Sequence, residues 1–393
     1  MSSKGDAVSR TRLLLVLAYL GFVSLGVPDI VLGAAWPAIR GEFGLPLDAA
    51  GAAVLLTTCG VVLSSAASAR IRAQLGTGAV LIASTALASL ALLLSAGAAR
   101  WSHLLAAAAL AGLGGGAIDA TLNDHVARRH SARHMNWLHA FWGVGAAIAP
   151  LVVSSALALG ASWRTAYIAL GCGEALLGLS FVATRGLWAD SPPVPTTAPS
   201  APLAHADAAM RASVLMFFCY GGLEAGVGLW ITTLLTTTRG SSQASASAAV
   251  AIYWGALCAG RFVIGMVADR LGSERVLAAA VRLALIAALA LVWRGTPAWF
   301  VCLVLAALGA ALAPIYPLAM HATPRQFGAE LGTRLVGYQV AAASLGVASL
   351  PWLLGALSRT LSIAWLPPAL AVLALAVVLL ERARRESRRP TLR

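Results

Sequence analysis

Residues 189–210 read ADSPPVPTTAPSAPLAHADAAM: proline, serine and alanine, with almost nothing to bury. The chain on both sides of them is oily. Of 393 residues, 59% are hydrophobic and only 11% are charged. A water-soluble domain carries about 25% charged residues, so the solvent of this chain is lipid. Hydropathy outlines twelve apolar stretches of about 20 residues, each long enough to cross a hydrocarbon core of about 30 Å as a helix. They fall near 12–38, 49–69, 77–97, 101–127, 136–160 and 163–184, then 211–238, 244–267, 274–293, 297–320, 331–357 and 360–381. The quoted stretch divides them six and six. The expected fold is therefore an all-α integral membrane protein of two six-helix bundles around a central cavity. The first bundle is 1–184, a flexible cytoplasmic linker is 185–210, and the second bundle with a basic tail is 211–393.

The net charge of +13 reports topology. With a cytoplasmic N-terminus, about 20 of the 28 basic residues fall in the loops and tails of that side, Arg70, Arg72, Arg128, Arg129, Arg133, Arg270 and Arg275 among them. That bias places both termini in the cytoplasm and removes nucleic acid as the reason for the basicity. The five cysteines, Cys59, Cys172, Cys219, Cys258 and Cys302, all lie in spans and form no CxxC pair, which reads as small apolar filling. The first span is too long for a signal-peptide core and has no convincing cleavage site, so it is kept as a helix. "GLGGGA" lacks the strand-turn-helix setting of a nucleotide loop.

The halves repeat each other. Asp29 precedes Trp36 in span 1 as Glu224 precedes Trp230 in span 7. Leu75-Gly76 after span 2 matches Leu271-Gly272 after span 8, and Leu113-Gly114 in span 4 matches Leu308-Gly309 in span 10, all at a near-constant offset. In spans 5 and 11, Gly145 and Pro150 match Gly346 and Pro351. Parallel six-helix repeats joined by a linker are the plan of an alternating-access transporter with its site between the halves.

One loop carries a family signature. "GMVADRLGSER", Gly265 to Arg275, resembles the loop motif between the second and third helices of a half in the major facilitator superfamily. The equivalent first-half loop, "SARIRAQLG", keeps Gly76 but has Ala73 and Gln74 where that pattern wants Asp and Arg. "GVPDIVLGAAWPAIRGEFGL", "GGGAIDATLNDHV", "HAFWGVGAAIAP", "YGGLEAGVGLW" and "GYQVAAASLG" are similar to the fucose, galactose and glucose proton-symporter branch. The resemblance implies the inner cell membrane. It also implies proton coupling and sugar binding by a helix-1 Asp and by a helix-4 acid followed four residues later by Asn, which here are Asp29, Asp119 and Asn123.

The residues support that reading on their own chemistry. Asp29, Asp119, Glu174 and Glu224 lie well inside spans, where a charged carboxylate costs roughly 2.5–3.5 kcal/mol at the helix centre, so each is expected to face the bundle or a wet cavity. Gly112, Gly116, Asp119 and Asn123 share one helical stripe, the glycines allowing close approach of a helix or a ligand. Desolvation there disfavours the anion and suits a carboxylate that loads and releases a proton. The alternative is an acid simply hydrogen-bonded to His139 or Asn136. Asp29 sits beside Pro28, which frees backbone polar groups, and binds a proton or a hydroxyl or else braces the bend. Glu224 is a third proton-coupling candidate. Glu174, in a supporting helix, is read as structural, and Asp124 as pairing with Arg128 or Arg129.

A sugar needs flat apolar faces for its ring and amides or carboxylates for its hydroxyls. Candidates are Asn123, Trp36, His139, Phe141, Trp142, Trp230, Tyr253, Trp254, Tyr316, Tyr338 and Gln339, against the alternative of packing or an interfacial aromatic belt. Arg261 with Asp269 and Arg270 reads as a cytoplasmic gate. The function expected is a monomeric proton-coupled transporter of a small polar solute, a sugar first, or else a proton-driven exporter of drugs or metabolites. Nine Phe and six Met are few for a lipophilic drug cavity. No metal cluster, cofactor motif, or nucleophile and base pair argues for an enzyme.

Overall fold

The structure, a computed structural model, describes residues 2–130, 132–188 and 208–386; the stretch 189–207, which holds most of the expected linker, lies outside the described residues. The described chain is helical throughout. Its α-helices are α1 (Ser2–Phe43), α2 (Ala49–Leu75), α3 (Thr77–Ala96), α4 (Trp101–Arg129), α5 (Ala132–Ala158), α6 (Trp163–Thr184), α7 (Ala208–Thr238), α8 (Gln243–Leu271), α9 (Ser273–Val292), α10 (Ala298–Leu312), α11 (Ile315–Phe327), α12 (Ala329–Thr360) and α13 (Leu366–Glu386). Among the described residues, twelve segments are long and apolar enough to cross a membrane, with α10 and α11 together forming the tenth, Ala298–Phe327. Leu63, Leu176, Leu179, Ile286 and Leu303 are all more than half exposed, a surface suited to acyl chains rather than water.

The tenth span departs from the single helix expected over 297–320. It runs on to Phe327 and is broken at Ala313 and Pro314. Pro314 lacks the N–H that would continue the ladder, and its ring crowds the preceding turn.

The chain packs into two units. The first comprises Met1–Leu45, Ala52–Val194 and Gln243–Ala251; the second comprises Pro46–Gly51, Pro195–Ser242 and Ile252–Arg393. In the first, α1 lies on α5 and α3 lies between α4 and α6. Phe22, Leu81, Leu122, Leu138 and Phe181 close its core. In the second, α7 is held between α12 and α13, and α9 packs on α10 and α13.

The internal repeat is visible in the packing of each unit. Gly76 and Gly272 adopt φ of +82° and +83°, a left-handed turn that only glycine takes without strain, and each is the cap that starts the next helix. A Cβ on Gly145 would strike the Val23 carbonyl of α1, and one on Gly346 would strike the Phe218 carbonyl of α7. The α1–α5 and α7–α12 crossings thus use equivalent glycines. The match of Gly114 with Gly309 is different in space. Gly309 lies against the Tyr253 carbonyl of α8, and it is Gly112 that lies against the Thr57 carbonyl of α2; Gly114 faces Ser84 of α3.

Candidate functional site

The crossing of α1 on α5 builds the first site. Gly26 and Gly145 let the two backbones touch, a Cβ on Gly26 falling 2.7 Å from the Ala146 nitrogen. From that contact the Trp142 indole of α5 reaches Asp29 of α1, its Nε1 donating to Oδ2 at 3.3 Å. Asp29 and Asp119 open into one cavity of about 200 Å³, whose walls include Ser24, Pro28, Ser84 and Trp142. Asp119 accepts from Asn123 Nδ2 at 3.0 Å, one turn along α4. Asn123 is thus a hydrogen-bond partner of Asp119 within its own helix. The side chain of Asn136 lies outside the described residues.

The stripe on α4 divides its work. Gly112 and Gly116 face α2, whose Ser64 and Ser65 donate to the Gly112 and Gly116 carbonyls at 3.4 and 3.0 Å. Those glycines seat a helix, and the cavity wall is instead formed by Ala111, Gly115, Ile118 and Asp119. Asp119 stands where the two faces meet. Further along, Asp124 holds Arg128 at 2.8 Å, as its spacing leads one to expect, and also Arg72 at 2.9 Å. The first-half loop therefore has an ion pair joining α2 to α4 although it lacks the Asp and Arg of the motif.

A second polar cluster lies within the other unit. Glu224 of α7 is paired with Arg261 of α8, Nη2 to Oε2 at 3.4 Å. The Tyr220 hydroxyl donates to the same carboxylate, and Tyr253 donates to the Glu224 carbonyl at 3.2 Å. The Tyr316 ring of α11 packs 5.9 Å from that of Tyr220. Residues assigned separately from the sequence, a proton carrier in Glu224 and a gate in Arg261, are one ion pair. The Asp269 side chain lies outside the described residues, and Arg270 is exposed at the end of α8.

Five of the other aromatic and amide candidates are buried in packing, Trp36, Trp230, Tyr253, Trp254 and Gln339. Trp36 leans on Trp101, and Trp230 Nε1 donates to the Pro351 carbonyl at 2.8 Å. Gln339 is 0% exposed, its amide donating to Ser213 and Thr323 at 2.7 and 2.8 Å. That amide is spent on joining α12 to α7 and α11, so no surface of it is open to a ligand. Phe141 stacks on Tyr19 at 4.6 Å, His139 is edge-on to Phe22, and Tyr338 is half-buried. Of the substrate candidates, Trp142 alone lines the cavity of Asp29 and Asp119. Two features were missed from the sequence. Glu174 of α6 accepts from Ser24 of α1 at 2.5 Å, and Arg384 of α13 reaches Gln326 and Glu274 at 2.6 and 3.1 Å. No spacing in a single sequence pairs residues so far apart.

Comparisons agree with the fold. A bacterial homologue of the human lysosomal transporter Spinster, solved inward-facing and occupied, is 14% identical with a TM-score of 0.69, covering 95% of this chain and 94% of that one. The nucleoside transporter NupG, solved as a point mutant, is 14% identical with a TM-score of 0.75, covering 96% and 99%. At that identity the likeness speaks for the fold alone. In sequence, the chain is 26% identical over 162 residues to Bypass of stop codon protein 6 of Saccharomyces cerevisiae, a match spanning 39% of this chain and only 33% of that protein. A sequence model of the Major Facilitator Superfamily matches residues 14–293 and again 213–393. With twelve apolar spans, a repeated six-helix plan and family matches running almost end to end, the chain belongs to the Major Facilitator Superfamily of multi-pass membrane transporters.

Proposed function

We propose that this transporter couples proton movement to the movement of a small polar solute, sugars being the first class to test, by alternating access. The observation that carries the reading is the pairing of Asp29 and Asp119 on one cavity with the Trp142 indole and the Ser24 and Ser84 hydroxyls. Between Arg12 and Arg40 of α1, in all of α3, along α4 as far as Ala127, and beyond Arg133 of α5, there is no Lys or Arg. Two carboxylates in a cavity whose described lining holds no Lys or Arg are costly as anions, and a proton relieves the cost. Loading and releasing that proton as the cavity meets each side in turn is the coupling step, and the indole face with its neighbouring hydroxyls suits a ring that bears hydroxyl groups.

The test has two stages. A thermal-shift screen of hexoses, polyols, nucleosides and cationic drugs on the purified protein identifies the solute, since a ligand that binds the folded chain stabilises it. Nucleosides belong in that panel because they carry a sugar ring and because one structural relative is named for them. Proteoliposomes then separate coupling from binding. Asp119→Asn is expected to abolish accumulation driven by an acid exterior while leaving exchange of the solute largely intact. If the variant still accumulates solute against its gradient, the coupling assignment fails. Export of drugs is the second reading, and a shift by cationic drugs with none by hexoses or nucleosides would select it.

A further inference from the structure

Glu174 is a buried acid that the coupling scheme leaves unused. It lies near the middle of α6 and is 4% exposed. Among the described residues its hydrogen-bond partner is the Ser24 hydroxyl, 2.5 Å from Oε2. Ser24 belongs to α1 and forms part of the wall of the cavity shared by Asp29 and Asp119. One hydroxyl thus stands between the buried acid and the cavity of the other two.

The helices around Glu174 bring it no cation. α6 has no Lys or Arg between Arg164 and Arg185, α3 has none at all, α1 has none between Arg12 and Arg40, and α5 has none beyond Arg133. The titratable groups on those helices at membrane depth are Asp29 and Tyr19 on α1, His139 on α5, and Tyr167 and the exposed Cys172 on α6, with Asp119 across the cavity on α4. His139 lies edge-on to Phe22, two residues before Ser24. A residue needed only to hold α6 against α1 could be a glutamine or an apolar side chain, neither of which carries the cost of an ionisable group in a membrane interior. A serine hydroxyl both donates and accepts. It can therefore accept a proton from one neighbour and pass its own to another without a change in charge on itself.

We propose that Glu174 is a third proton-carrying residue of this transporter, exchanging its proton with the Asp29 and Asp119 cavity through the Ser24 hydroxyl. The step balances simply: a proton leaves the Glu174 carboxyl for the Ser24 oxygen as the Ser24 proton passes to water or a carboxylate in the cavity. Glu174 is here a proton reservoir and not a contact for the solute. The inference rests on the coupling reading of Asp29 and Asp119.

The test needs no solute. Purified protein in weak buffer with an indicator dye is dropped in pH, and the protons taken up per chain are counted. Infrared difference spectra in parallel report the carbonyl band of each protonated carboxyl. Glu174→Gln, which can still accept from Ser24, is expected to lose about one proton of uptake and one carboxyl band. It should also displace the pH profile of the remaining acids by threefold or more in proton concentration, about half a pH unit. Ser24→Ala is expected to keep the Glu174 band but slow its appearance at least tenfold. Unchanged proton uptake in a Glu174→Gln protein that melts at the wild-type temperature overturns the proposal, as does an unslowed band in Ser24→Ala. If Glu174→Gln does not fold, Glu174→Asp, with its shorter reach to Ser24, must slow the same band, and failure to do so is equally fatal. Asp119→Asn measured alongside keeps the two ideas apart. If it changes nothing, the coupling reading has failed; if it removes its own band while Glu174→Gln changes nothing, only the role of Glu174 has.

Discussion

Gly145→Ala tests the link between packing and chemistry in the first unit. The added Cβ would sit on the Val23 carbonyl, 2.8 Å from its carbon and 3.2 Å from the Val23 Cα, and all of these neighbours are backbone. Restoring an ordinary contact of 3.4 Å to that carbon means that α1 and α5 part by at least 3.4 − 2.8 = 0.6 Å. Overpacking of this kind costs about 1–3 kcal/mol, and the absence of a side chain that could swing aside puts the site at the upper end. The same displacement would lengthen the Trp142–Asp29 bond from 3.3 Å to about 3.9 Å, outside hydrogen-bond range. The expectation is a lower melting temperature in detergent together with a loss of pH-gradient-driven accumulation in proteoliposomes. Two controls separate the effects. Trp142→Phe removes the donor without the clash, so it should lose accumulation and keep most of the melting temperature. Gly173→Ala, on the α6 face with nothing within 4 Å of the new Cβ, should melt no lower than the parent, because alanine favours a helix more than glycine does. A Gly145→Ala protein that melts and accumulates like the parent would refute the close-crossing account.

Two further expectations concern Arg384 and His130. Arg384 is 1% exposed, lies 3.7 Å from the buried Glu381 carboxylate, and also holds Gln326 and the partly exposed Glu274, so Arg384→Ala removes one of the cations facing a buried carboxylate and should destabilise the second unit by about 1–3 kcal/mol, read as a fall in melting temperature. Arg384→Lys should recover only part of it, since an ammonium cannot span both partners as the guanidinium does. His130, beyond the end of the α4 span, is held below the ordinary imidazole range by burial first and then by His134 and Arg129. The folded chain therefore binds fewer protons there than the unfolded chain, and stability should fall as pH drops below about 6.5. His130→Gln should flatten that part of the melting temperature against pH curve; an unchanged slope would move the cause elsewhere.

The intramembrane acids show where sequence reading reaches and where it stops. That Asp29, Asp119, Glu174 and Glu224 avoid lipid follows from composition alone, because the cost of an unpaired charge in hydrocarbon admits no other placement. Which group meets each acid does not follow. Asp119 and Asn123 are four apart on one helix, so that pair was legible. Glu224 with Arg261 and Glu174 with Ser24 join separate helices at sequence distances of 37 and 150 residues. The glycine stripe of α4 was legible as a stripe, yet its neighbour, α2, was not. Gln339 read as a sugar-binding candidate because Ser213 and Thr323, which satisfy its amide, lie on other helices.

Sequence by itself determined the twelve spans, the two-fold repeat and the helix on which each acid lies. These depend on free energies summed along one helix, and they need no knowledge of its neighbours. Only the tertiary structure decided that α1 and α5 cross at Gly26 and Gly145, and hence that Trp142 reaches Asp29 and that Ser24 touches both the cavity and Glu174. The physical reason is that lipid solvates every apolar face of a span almost equally. The choice of facing partners is therefore made by close backbone packing and hydrogen bonds between helices, which exist only once the helices have met.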